Sequence, residues 1–384
     1  MSAPATPTTP LLPGATLGVV GGGQLGRMFT VAARVMGYQV VVLDPDPGSP
    51  AGQLADVHLK ADYSDAVALL RMGNLCDAVT TEFENVPAAS MEMLAKHCRV
   101  APSAAALAVA QDRLAEKTHA RDAGCETAPF APIDTASDLD AAWAAIGAPA
   151  LLKTRRLGYD GKGQARVDSR ADLETAFASL GSVPCLLEGF LPLDREVSVV
   201  LGRNAADQIA FFPVAENQHL NGILDISIVP ARIPDALADQ ARDMAAHLAR
   251  ELDYVGVMAV EFFVLQDGRI VFNEMAPRPH NSGHYTLDAT ACDQFQQQVR
   301  ALCGLPLGDT RLLSPVVMVN LLGDVWTPTP PWETLLQHPG VHLHLYGKAE
   351  ARPGRKMGHY NCLAPDVESA LALALETRAA LGIR

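Results

Sequence analysis

Short β-branched, apolar runs alternate with helical-period segments through the first third of the chain. The run 16–20 ends in Gly21-Gly22-Gly23; an amphipathic helix is predicted over 25–36 and a second strand over 39–43, ending at Asp44. A further apolar run, 78–81, leads into Thr81-Glu82-Phe83-Glu84-Asn85. Strand–helix alternation of this kind predicts an open parallel sheet, placed at 14–115. Between 116 and 305 the pattern changes. A strand over 150–154 precedes a glycine-rich loop, 158–164, and strands follow over 185–188, 196–201 and 208–213. A helix over 236–252 then precedes two more strands, which predicts an α+β domain with much antiparallel pairing. A small C-terminal domain, 306–384, opens with a strand at 316–321, carries basic residues over 348–359 and closes on a helix over 366–381. Residues 1–13, rich in Pro, Thr and Ala, read as a flexible tail without the basic and apolar regions of a signal peptide.

Composition narrows the functional classes. Hydrophobic residues make up 49% of the 384 positions, enough for several buried cores, and no run is long enough for a membrane span. The formal charge of −13 disfavours a nucleic-acid partner, because an acidic surface repels phosphate backbones. Seven scattered cysteines form no metal or redox spacing, which fits reduced thiols and a cytoplasmic protein.

Four segments carry chemistry. Asp267-Gly268 between two apolar runs is a hairpin signal, and a two-residue turn there sets Glu261 opposite Glu274. Facing residues of such a pair have Cβ atoms about 4.5–5.5 Å apart. Like charges so placed destabilise the hairpin unless a cation lies between them, and magnesium takes one or two carboxylates plus phosphates. The second segment is Gly158-Tyr159-Asp160-Gly161-Lys162-Gly163-Gln164, where glycines let backbone amides approach phosphate oxygens. Lys153, at the end of the preceding apolar strand, needs an anion beside it. In the third, Arg278, His280, Asn281 and His284 follow the metal strand on a loop stiffened by Pro277 and Pro279. Fourth, Gly21-Gly22-Gly23-Gln24-Leu25-Gly26 with Asp44 fits a dinucleotide fingerprint and leaves an NAD-dependent oxidoreductase open. A nucleotide-binding regulatory protein without turnover is a third class, disfavoured by Lys153, Glu261 and Glu274 together.

These segments, with Gln111-Asp112-Arg113, Tyr346-Gly347-Lys348 and Gly354-Arg355-Lys356-Met357-Gly358-His359, occur in an order that resembles the N5-carboxyaminoimidazole ribonucleotide synthetase family. The resemblance covers about 16–375 and implies an ATP-grasp fold behind an N-terminal pre-ATP-grasp domain. It implies a carbon–nitrogen ligase of purine biosynthesis that uses ATP and magnesium to carboxylate 5-aminoimidazole ribonucleotide with bicarbonate, through carboxyphosphate. A homodimer is implied too. ATP would contact Arg113, Lys153, the loop 158–164, the hinge Glu188-Gly189-Phe190-Leu191, Glu196, His219, Asn273 and Glu274. Magnesium would lie on Glu261 and Glu274. Asp160 is the implied acid–base residue, with Tyr159, Lys162, Arg278 and His280 around bicarbonate. The ribonucleotide's phosphate would rest near Gln24 at the Gly-rich turn, with Lys348, Arg355 and Lys356 supplying charge; Glu84 would hold the ribose and Asn281 would also contact this substrate. A formate-activating glycinamide ribonucleotide transformylase is the nearest enzyme alternative. Ala276 stands where the wider superfamily often has an asparagine, which leaves a third metal ligand in question.

Overall fold

The computed structural model describes residues 9–158 and 161–383. Expectations for Tyr159, Asp160 and residues 1–8 lie outside the described residues. Three sheets organise the chain. Strands β1–β5 (Thr16–Val20, Gln39–Leu43, Val57–Leu59, Ala78–Thr81, Arg99–Val100) form a parallel sheet in the order β3-β2-β1-β4-β5. Strands β6–β9 (Phe130–Ile133, Ala150–Thr154, Gln164–Val167, Cys185–Gly189) form a small antiparallel sheet, β6-β9-β7-β8. The remaining strands are β10–β13 (Leu193–Arg203, Ile209–Phe211, Ala215–Leu220, Ile223–Val229), β14 and β15 (Gly256–Leu265, Ile270–Ala276) and β16–β18 (Val316–Leu322, Val341–Leu345, Lys356–Leu363). They make one antiparallel sheet, β15-β14-β10-β12-β13-β16-β18-β17, with β11 beside β10. The C-terminal strands therefore extend the same sheet that carries the glutamate hairpin.

Packing explains how the sheets meet. Central β1 and β2 are almost wholly buried, as expected of parallel strands covered on both faces. The Gln294–Cys303 helix, capped by Asp293 and ended by Gly304 in the left-handed region, inserts Phe295, Val299 and Leu302 into the core beneath β1. It also leans on β10 and β14, so one helix couples the parallel sheet to the large one. The described part of the N-terminal tail is tied to this body: Leu11 N–H donates to the Cys303 carbonyl at 2.8 Å and Arg99 donates to the Thr9 carbonyl at 2.8 Å.

The β14–β15 hairpin departs from the predicted geometry in two ways that cancel. Its turn holds three residues: Gly268 N–H donates to the Leu265 carbonyl, Leu265 N–H to the Arg269 carbonyl, and Gly268 takes φ +85°. This is the three-residue loop whose left-handed position favours glycine. Val264 then pairs with Ile270 and Phe262 with Phe272, one residue out of the expected register. A β-bulge at Asn273 restores it, so Glu261 faces Glu274 after all. Without the bulge, Glu274 would point the same way as Phe272, into the apolar core. A Cβ at Gly268 meets nothing within 4 Å, so Gly268→Ala isolates the cost of the left-handed backbone. We expect a loss of about 1 kcal/mol in urea unfolding, with turnover unchanged.

Candidate active site

A cavity of about 670 Å³ lies where the three sheets converge. Of the residues singled out above, Gln24, Glu84, Arg113, Lys153, Gly158, Gly161, Lys162, Gln164, Glu196, His219, Glu261, Asn273, Glu274, Arg278, His280, Asn281 and Lys356 line it. Sequence positions more than 300 apart thus share one wall.

The carboxylate pair forms the floor. Burial first, and then the Glu274 charge, push the Glu261 carboxyl up to about 8. Burial would raise Glu274 too, but Arg113, 2.9 Å away, and Lys153 hold it down near 2. One proton therefore rides on the pair at neutral pH, on the glutamate farther from Arg113. His280 lies 3.7 Å from Glu261, and burial keeps its imidazole well below its ordinary range, hence neutral. Its Nδ1 meets the Ser282 hydroxyl at 2.9 Å. On the opposite wall His219, on β12, pairs with Glu196 at 2.9 Å, and that carboxylate raises the imidazole against the effect of burial. Two facing carboxylates, one held protonated, together with the unpartnered Oδ1 of Asn273, fit a hard divalent cation.

The anion beside Lys153 is internal. Lys153 donates to Glu188 Oε2 at 2.9 Å, and the fully buried Lys117 reaches the same oxygen at 3.4 Å. Burial would raise the Glu188 carboxyl, yet the two ammonium groups bring it down to about 2. Lys117 also lies 5.7 Å from the centre of the Phe272 ring. It thus joins the small sheet, through Glu188, to the glutamate hairpin. Sequence reasoning missed Lys117 and its neighbour Glu116. Their signal was present: polar residues on the inward stripe of the Arg113–Asp122 helix, which Asp112 caps. Burial and Glu274 push the Glu116 carboxyl up to about 8, and its Oε1 accepts the Met275 N–H at 2.6 Å, two residues past the bulge.

Several predicted roles need correction. In the hinge, the N–H groups of Gly189 and Phe190 donate to the Pro129 and Pro149 carbonyls, so neither amide is free to donate to an adenine edge. The Phe190 ring packs 4.8 Å from the Arg166 guanidinium; both lysines hold Glu188 through Oε2, while its buried Oε1 has no partner among the described residues. Gly163, at φ +72°, sits where a Cβ would meet Thr154 at 2.6 Å, so this glycine serves the turn's own backbone. At the Gly-rich turn, Glu82 accepts the N–H groups of Gly23 at 2.5 Å and Gly26 at 2.7 Å. A carboxylate already takes two amides of the helix N-terminus, those of Gly23 and Gly26, while Gln24 and Leu25 of the same turn line the cavity. The same contact removes the dinucleotide reading, and Asp44 is consumed by Gly22 N–H and Tyr63 OH, both at 2.7 Å. Glu84 is bonded to Arg278 at 2.6 Å, making the two a single unit in the cavity wall. Asn281 exchanges two amide bonds with Asn320, at 3.0 and 2.8 Å, which leaves its side chain a structural role. Lys348 donates to the Lys356 carbonyl at 2.6 Å and Arg355 to the Glu350 carbonyl at 2.8 Å; neither lines the cavity. His284 is buried behind the loop against His359, 4.8 Å between ring centres.

Comparison with known proteins agrees with this architecture. Residues 14–111 match the ribonucleotide synthetase preATP-grasp domain, 118–295 the ATP-grasp domain and 316–373 the phosphoribosylaminoimidazole carboxylase C-terminal domain. The N5-carboxyaminoimidazole ribonucleotide synthase of Brucella melitensis is 47% identical over 93% of this chain and 98% of its own length. The chain belongs to the N5-carboxyaminoimidazole ribonucleotide synthase family. A crystal structure of an ADP complex of such a synthetase superposes with a TM-score of 0.93 at 45% identity, covering 98% of each chain. The Aspergillus clavatus enzyme, solved with ADP and 5-aminoimidazole ribonucleotide, gives 0.90 at 31% identity, covering 97% of this chain and 100% of that one. The fold is accordingly that of an ATP-grasp ligase, and no described helix is long and apolar enough to cross a membrane.

The shared proton has a measurable consequence. A cation binding between the glutamates expels it, so metal affinity rises with pH through about 8 and levels off above it. For one proton and a carboxyl near 8, calorimetric titration of Mg²⁺ into ADP-loaded protein should show roughly fivefold tighter binding at pH 8 than at pH 7. Without metal the sign reverses: a carboxyl raised in the folded state contributes stability below its unfolded value, near 4.5, that is lost as pH rises through 8. A pH-independent metal affinity contradicts the shared proton.

Proposed function

We infer that this chain carboxylates 5-aminoimidazole ribonucleotide to N5-carboxyaminoimidazole ribonucleotide, using ATP and bicarbonate, as a step of purine biosynthesis in the cytoplasm. The observation that carries this reading is the single cavity that joins the glutamate pair, the Arg113 and Lys153 cations and the Glu84–Arg278 pair from the parallel-sheet side. We take the functional units to be 14–115, 116–305 and 306–384, and the working species to be a homodimer.

In this reading ATP lies between the small and large sheets. Arg113 and Lys153 face its phosphates, each already oriented by a carboxylate, so little reorganisation accompanies the reaction. Glu196 and His219 hold the ribose from β10 and β12. The loop 158–164 covers the phosphates, with Lys162 aimed into the cavity and Gly161 packed on the turn at Asn221 and Gly222. Glu261 and Glu274 would hold magnesium, which would supply the charge neutralisation that phosphoryl transfer needs. Bicarbonate oxygen attacks the γ-phosphorus in line, giving carboxyphosphate and ADP. Arg278, fixed by Glu84, and neutral His280 bind the bicarbonate carboxyl. The amine of the ribonucleotide then attacks the carboxyl carbon, phosphate leaves, and Asp160 takes the amine proton. Enclosure by the loop protects carboxyphosphate from water. The ribonucleotide's phosphate lies between Gln24, at the open part of the Gly-rich turn, and Lys356, with Lys348 and Arg355 supporting it from behind.

The test is phosphate release from ATP with bicarbonate present. Stimulation by 5-aminoimidazole ribonucleotide, with stoichiometric appearance of the N5-carboxylated product, is expected; no stimulation overturns the assignment. Glu274→Gln should lower turnover by at least about 100-fold, since a misaligned cation forfeits roughly 3 kcal/mol of transition-state stabilisation.

A further inference from the structure

We propose that Asn273 is the third protein oxygen ligand of the cation, delivered by the β-bulge in place of the side chain that Ala276 lacks. The inference rests on the metal reading given above and goes beyond it by adding a residue to the coordination set. On β14 the side chains alternate regularly, with Phe262 and Val260 in the core and Glu261 between them facing the cavity. On β15 they do not alternate: Phe272 and Met275 both enter the same core, with two residues between them. The register shift sets that pair, Asn273 and Glu274, against the single residue Glu261. A bulge of this kind turns both of its residues toward one face. Both line the cavity.

The state of the Asn273 side chain points the same way. The residue is only 9% exposed, and its Oδ1 has no hydrogen-bond partner among the described residues. A buried amide oxygen without a donor is rare in a packed fold and calls for a ligand. Ala276 faces the same cavity and has no oxygen to offer. An amide oxygen is a hard ligand suited to magnesium and adds no charge to a pair already strained by two carboxylates. The outer edge of β15 holds the bulge in place on both sides: Phe272 N–H donates to the Glu126 carbonyl at 2.8 Å, and Met275 N–H to Glu116 at 2.6 Å. The bulge thus survives truncation of the Asn273 side chain, which makes the variant interpretable.

Mn²⁺ affinity in the presence of a non-hydrolysable ATP analogue, read from the free-Mn²⁺ electron paramagnetic resonance signal, decides the matter. Asn273→Ala should weaken it at least tenfold, while ADP affinity measured without metal stays within twofold. Asn273→Asp, which restores an oxygen at the same reach, should bind Mn²⁺ at least as tightly as the wild type. Unchanged Mn²⁺ affinity in the alanine variant overturns the proposal, as does a loss confined to metal-free ADP binding, which makes Asn273 a nucleotide contact. Should the alanine variant lose its thermal transition, the aspartate variant decides alone: weaker Mn²⁺ binding than wild type overturns the proposal. If the wild-type nucleotide complex itself retains no Mn²⁺, the metal reading fails rather than this assignment.

Discussion

Glu261 and Glu274 face each other across one pair of strands on the cavity floor, where two carboxylates repel each other unless a proton or a cation lies between them. Much of the surrounding construction manages that repulsion. Arg113 leans on Glu274, a proton stays on Glu261, and neutral His280 adds no competing charge. The Arg113–Asp122 helix is the brace: Arg113 bonds Glu274 on β15, Glu116 fixes that strand's backbone and Lys117 ties Glu188 to the back of the same hairpin. Lys117 and Glu188 are the fully buried pair of this network, and removing one member of such a pair costs about 3–5 kcal/mol because the other is left charged and short of a partner. Stability and catalysis therefore draw on the same side chains.

The second organising feature is that carboxylates fill positions which, from the sequence, invite phosphate. Glu82 sits on the amides of the Gly-rich turn, and Glu188 lies beside Lys153. Both arrangements lock a cationic or dipolar group in place before any substrate arrives. In the first case this closes the site to a dinucleotide. In the second it aims an ammonium at the cavity.

Strand positions were legible wherever hydrophobic runs were bounded by turn residues, as at Thr16–Val20, Gln39–Leu43 and Ala150–Thr154, because burial on both faces leaves no polar ambiguity. The pairing of Glu261 with Glu274 was legible for a partly wrong reason. A two-residue turn and a regular ladder predict the same partner as a three-residue turn followed by a bulge, and local sequence cannot distinguish them. The partners of Lys153, Glu84 and Asn281 were not legible, since each lies on a different element: Glu188 is 35 residues away, Arg278 194 and Asn320 39. Nor could sequence show that the C-terminal strands continue the hairpin's own sheet, which depends on β13 pairing with β16.

The central claim is that the bulged hairpin is a cation site. Anomalous scattering from a crystal grown with Mn²⁺ and a non-hydrolysable ATP analogue tests it most directly. A peak between the carboxylates, within about 2.0–2.3 Å of an oxygen from each of Glu261 and Glu274, is the predicted result. A peak bound only to nucleotide phosphates, with the two glutamates contacting no ion, contradicts the account.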